Sequence, residues 1–180
     1  MDIEDSTSRT DAAKAQLRSL MYDMVEKALH SSGIGRRHHD PLVDRGDGVL
    51  ALIRPVDQAP MALLLTSVIP VLATTLRQHD IQHPDQFLRL RVAVHAGEIN
   101  YDRRGCFGEA LDITFRLLDA PVVKRELRQI VSPMVVVVSE EVYRSVVRHG
   151  HEGINEDSYL PRTNVLVGGR HYRGWIRTDD

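Results

Sequence analysis

One hundred and eighty residues, 42% of them apolar, match one folded domain with a real core. With 23 basic and 25 acidic residues there is no overall field for nucleic acid or an anionic membrane surface, so an anionic ligand must be held by local groups. The single cysteine, Cys106, excludes an internal disulfide and is read as a small apolar residue. No charged-then-apolar leader and no apolar run of membrane-spanning length is seen, and the expected location is the cytoplasm. Nine histidines, His38 and His39 among them, lack zinc-site spacing and are read as scattered surface groups.

Ser6, Thr7 or Ser8 is positioned to cap a first long helix. From about Thr10 its apolar residues Ala13, Leu17, Leu20, Met21, Met24, Ala28 and Leu29 recur at helical spacing, and Gly33 stops it. Residues 36 to 54 read as a two-stranded hairpin ended by Pro55. A second helical region runs from Met61 to about Gln78, and its interior Pro70 is expected to divide it in two. Leu88 to His95 reads as a strand buried on both faces, followed by a loop at Tyr101 to Gly108. Glu109 to Leu118 is the next helix, on which Asp112 and Arg116 share a face. A short helix to Gln129, the β-branched run Pro133 to Val138, and a helix capped at Ser139 follow. Asn164 to Val167 and Tyr172 to Arg177 are strand candidates joined at Gly168 and Gly169. Helices and strands alternate around one central sheet, an α/β or α+β pattern.

At the hairpin bend, Arg45-Gly46-Asp47-Gly48 holds one acid between two flexible positions, which suits a metal ligand and equally an ordinary turn. Two further pieces add to it. One is Asp2-Ile3-Glu4-Asp5-Ser6-Thr7, and the other is His95-Ala96-Gly97-Glu98 followed by Phe107-Gly108-Glu109-Ala110-Leu111-Asp112-Ile113-Thr114-Phe115-Arg116-Leu117. In order and spacing they resemble the catalytic domain of the class III nucleotidyl cyclases, the adenylate and guanylate cyclase family, over nearly the whole chain.

The resemblance implies an α+β fold in one domain, 1–180: a ferredoxin-like core with a mixed central sheet and helices on one side. Only Met1 precedes the first motif aspartate, so the first strand of that fold is expected to be truncated. It further implies a head-to-tail homodimer with active sites across the interface, turning a nucleoside triphosphate into a 3′,5′-cyclic nucleotide and pyrophosphate. Two divalent ions, Mg²⁺ or Mn²⁺, serve that chemistry. Asp2, Asp47 and the Ile3 carbonyl match the metal positions, and Asp112 and Arg116 match the asparagine and arginine that face ribose and phosphate.

Several positions depart from the family pattern. An acid at Asp112 near a polyanion implies a repulsion of about 4 kcal/mol at roughly 4 Å and an effective dielectric near 20. The alternative for Asp112 and Arg116 is an intrahelical ion pair. The base-holding positions carry Val43 and Gly105, which do not support adenine selection, and Arg170 stands near the position of the late phosphate-contacting lysine. Asp5 replaces a motif glycine. Three functions fit this pattern: a degenerate cyclase-like domain sensing a nucleotide or a regulatory protein partner, an active metal-dependent cyclase with altered base preference, and a dimerisation module alone.

Overall fold

A computed structural model of the chain describes residues 1–178, in two compact units, Met1–Leu90 and Arg91 onward. Helices and strands are mixed in an α+β arrangement, in agreement with the sequence pattern.

In the first unit, β1 (Asp2–Ile3) precedes a 3₁₀ turn at Ser6–Ser8 and the helix α1 (Asp11–Ser31). The expected caps Ser6 to Ser8 are taken up by that turn, and Thr10 caps α1 by accepting from the Ala13 N–H at 3.4 Å. Gly33, at φ +81°, ends the helix as expected. Leu17, Met21, Met24, Val25, Ala28 and Leu29 form the buried stripe of α1.

The hairpin is shorter than its pattern suggests, with β2 (Val43–Asp44) antiparallel to β3 (Val49–Leu50). The helical region at Met61–Gln82 is not divided at Pro70. Instead, α2 (Met61–Leu63) runs into a π-helical stretch, Leu64–Val68, and then into α3 (Ile69–Gln82). Proline donates no N–H and crowds the carbonyl four residues back; widening the turn so that the Ile69 N–H reaches the Leu64 carbonyl makes room for it. The resulting rod is, by length and composition, apolar enough to cross a membrane, contrary to the expectation of no such run. Core helices pass the same test, and Leu65, Val68, Ile69, Leu72 and Leu76 are buried here.

In the second unit, strands β4 (Leu90–Val94), β7 (Met134–Ser139), β9 (Arg170–Arg177) and β8 (Tyr159–Val167) lie side by side in that order. β9 runs antiparallel to both neighbours, with Val137 opposite Ile176 and Asn164 opposite Arg173. Gly168 and Gly169, at φ +54° and +78°, turn β8 into β9. The irregularity between Leu160 and Thr163 accommodates Pro161 on this strand. All six residues of β7 are buried, as a run of β-branched residues requires.

Helices α4 (Glu109–Leu118) and α5 (Pro121–Gln129) lay Ile113, Leu117, Val123 and Leu127 against Val137 and Ile176. The short α6 (Glu140–Ser145) is capped by Ser139, as expected. Residues Tyr101 to Gly108, expected to be a loop, contain a hairpin of β5 (Asn100–Asp102) and β6 (Gly105–Phe107). The Asp102 carboxylate makes its turn by accepting from the N–H groups of Arg104 and Gly105 at 2.7 and 3.1 Å.

Candidate functional site

Asp47 sits where the first unit's shortest strands meet. Asp2 bridges antiparallel to Gly48, the Ile3 N–H donates to the Asp47 carbonyl at 3.0 Å, and the Val49 N–H donates to the Met1 carbonyl at 2.9 Å. The turn closes when the Arg45 N–H donates to Gly48, while Gly46 takes φ +77°. Its shoulder is fixed by Asp44, which accepts a fork from Arg18 at 2.8 and 3.1 Å and the Gly46 N–H at 2.8 Å. The Arg18 fork, aided by the Gly46 N–H, holds the Asp44 carboxyl below the usual carboxylate range.

The Asp47 carboxylate is engaged by the buried Ser6, whose hydroxyl donates to it. Asp5, just before, is the one non-glycine with positive φ among the described residues, at +51°. The chain therefore takes a glycine-like backbone under an aspartate side chain, a residue that tolerates the left-handed region better than most. That bend carries the chain from β1 to Ser6 and so sets the contact with Asp47.

Asp47, Ile3, Ser6 and Gly46 line a cavity of about 200 Å³, together with the start of α1. Asp2 is not among its lining residues, although its backbone adjoins the turn. Two carboxylates and a carbonyl are the hard oxygen donors that Mg²⁺ or Mn²⁺ takes. In this arrangement, however, Asp47 is turned into the cavity and onto Ser6. No group of three His, Cys, Asp or Glu side chains converges among the described residues. The two acids are brought together by their backbones, and the Asp47 carboxylate is engaged by Ser6.

The other expected positions lie as follows. Val43, on β2, is 36% exposed and offers a base no polar group. In the second unit, Gly105 opens β6 and Arg170 opens β9, both exposed. Asp112 and Arg116 share the exposed face of α4, with no ion pair formed between them. Near Arg170, the Tyr172 hydroxyl donates to Glu109 at 2.7 Å, and this bond raises the Tyr172 pKa.

Sequence reasoning missed Ser6 as a partner of Asp47. It also missed Lys14, Leu17 and Arg18 as one face of α1 beside the turn, although their spacing of three and four residues was a usable signal.

One buried titratable group of the second unit lies at the end of β4. His95, with a side chain 4% exposed, places Nδ1 3.5 Å from a Glu141 carboxylate oxygen. Burial holds its pKa below the usual imidazole range, and Glu141 offsets this only in part. The unfolded chain therefore binds the proton more readily than the folded one. The stabilisation is complete above the unfolded pKa of about 6.5 and is lost as pH falls from there through the lower folded pKa. Urea midpoints are expected to drop between pH 7.5 and 5.5, and to drop less in His95→Gln; an equal drop in both would assign the effect elsewhere.

Comparison with protein-family models and with curated proteins gives no match for this chain.

Proposed function

We propose that this chain is a divergent relative of the class III nucleotidyl cyclase domains that works as a nucleotide- or partner-sensing module without turnover. The observation that carries this reading is the pair of acids on adjoining backbones, Asp2 opposite Gly48 and Asp47 opposite Ile3, with Asp47 turned onto Ser6. The adjoining backbones suit the two-aspartate motif, while the Asp47 carboxylate is taken up by Ser6. Val43 and Gly105 bring no base-recognising groups, and Asp112 brings a negative charge where a polyanion would approach. Association into a homodimer belongs to the same reading. It is supported by the β5–β6 hairpin, which exposes Tyr101 and Phe107 to 59% and 53%, although two-stranded hairpins are marginal on their own.

A second reading, an active cyclase using Mg²⁺ or Mn²⁺, is favoured by Arg116, whose guanidinium is exposed on α4 and available to a phosphate. Incubation with each of the four nucleoside triphosphates and either ion, with products identified by mass spectrometry, separates the two. The sensing reading expects nucleotide-dependent thermal stabilisation with no cyclic product. A cyclic nucleotide made by the wild type and lost in Asp47→Ala would establish the second reading.

A further inference from the structure

The end of α3 holds a pair of histidines away from the Asp47 turn. His79 and His83 stand four residues apart, so they share one face of the last turn, and their ring centroids are 4.9 Å apart. Two imidazoles in simple contact at a helix end are the bland account of that pair. Three features go beyond it.

One is the tautomer of His79. Its Nε2 lies 3.0 Å from the Gln86 carbonyl oxygen, which can only accept, so Nε2 carries the proton and Nδ1 keeps its lone pair. A metal-ligating histidine has its second nitrogen held in the same way, by a donated bond that fixes the ring. Another is placement. The His83 N–H donates to the His79 carbonyl at 2.8 Å and closes the last turn, where a cation meets the negative end of the helix dipole. The third is room to converge. His83 is exposed, the torsion next to an imidazole ring is broad, and nitrogen-to-metal bonds of about 2.0–2.1 Å suit two rings this close.

The donor type selects the ion. Imidazole suits Zn²⁺, Cu²⁺ and Ni²⁺, whereas Mg²⁺ prefers oxygen. No third His, Cys, Asp or Glu side chain converges on the pair among the described residues, so water completes the shell and the ion is exchangeable.

We propose that His79 and His83 chelate one exchangeable Zn²⁺ ion, with His79 bound through Nδ1 while its Nε2–H stays on the Gln86 carbonyl. The ion ties the last turn of α3 to the connection that follows, whose Leu88 N–H donates to Asp80 at 3.0 Å. The site does not depend on the cyclase-like reading, because it uses other residues and another class of ion.

Zn²⁺ is titrated into the untagged full chain and followed by calorimetry and by imidazole and amide chemical shifts. Saturable one-to-one binding at this pair is expected, with shifts centred on residues 79–86 and with Nδ1 as the bound nitrogen of His79. His79→Gln and His83→Gln are each expected to weaken it at least about tenfold, because the chelate is lost. His149→Gln, which removes a ring from the wider His149–His151 pair at 6.3 Å, is expected to leave it unchanged. Zn²⁺ should raise the unfolding midpoint of the wild type and of neither chelate variant, a difference that general loosening of the fold would not produce. Cu²⁺ is expected to bind more tightly than Zn²⁺, and Mg²⁺ not to compete. Affinity unchanged in either chelate variant, shifts centred elsewhere, Mg²⁺ binding as well as Zn²⁺, or no saturable binding at all would each overturn the proposal. Metal-free unfolding midpoints confirm that the variants are folded when titrated.

Discussion

Leu117→Ala is expected to lower the unfolding free energy by about 2–5 kcal/mol, since Leu117 is fully buried and the deletion leaves a cavity in the core of the second unit. Gly174, on the facing strand, tests whether that space is filled as the structure describes. A Cβ there would stand 2.7 Å from Leu117 Cδ2, 2.7 Å from Thr163 Cγ2 and 3.1 Å from Val137 Cγ2. Gly174→Ala alone is therefore overpacked, by about 1–3 kcal/mol. Combined, the two substitutions should cost less than their sum, because the new methyl enters space that Leu117 has vacated; a coupling of about 0.5–3 kcal/mol is the range for residues in contact. Urea unfolding of the two single variants and the double variant measures it, and strict additivity would show that the side chains do not meet.

Gly48→Ala should destabilise the first unit by about 1–3 kcal/mol for a different reason. Its Cβ would lie 2.6 Å from the Met1 carbonyl oxygen and 3.1 Å from Asp2 Cβ, and a backbone oxygen cannot swing aside as a side-chain end can. Relief requires opening the Val49 to Met1 hydrogen bond and drawing Asp2 away from the Asp47 turn. Amide exchange at Ile3, whose N–H is held by the Asp47 carbonyl, should accelerate in the variant. Gly46→Ala is the comparison. It has open space around its Cβ and a φ of +77°, so its penalty is conformational alone, about 1 kcal/mol. Equal penalties and unchanged exchange at Ile3 would remove the close approach as the cause.

What the sequence made legible follows from where apolar periodicity decides the structure. Helix α4 begins at Glu109 and ends at Leu118 as its pattern requires, and the β7 run is buried throughout. The β5–β6 hairpin was missed because its turn depends on one side chain, Asp102, and no apolar face of the hairpin is buried to leave a pattern. The undivided rod at Met61–Gln82 was missed because proline was read as a divider, while a one-turn change of hydrogen-bond register absorbs it. At the site, the neighbouring backbones of Asp2 and Asp47 were anticipated from their motifs. The orientation of Asp47 was not, since it depends on Ser6 and on the left-handed backbone of Asp5. The cavity escaped notice because its walls are the hydrocarbon parts of residues that a sequence presents as charges.

The π-helical stretch at Leu64–Val68 also sets where this rod can change in length. A π turn holds one more residue than an α turn, so the wide turn takes in an extra residue while Ile69, Leu72 and Leu76 stay on the core face. Removing a single residue from this stretch would restore a regular helix and leave that face in place. The same deletion inside α3 would turn everything after it by about 100°, carrying Leu76 out of the core and bringing Arg77 toward it. The segment that departs from regular geometry is therefore the one place in the rod where a residue can be lost without changing which side chains are buried.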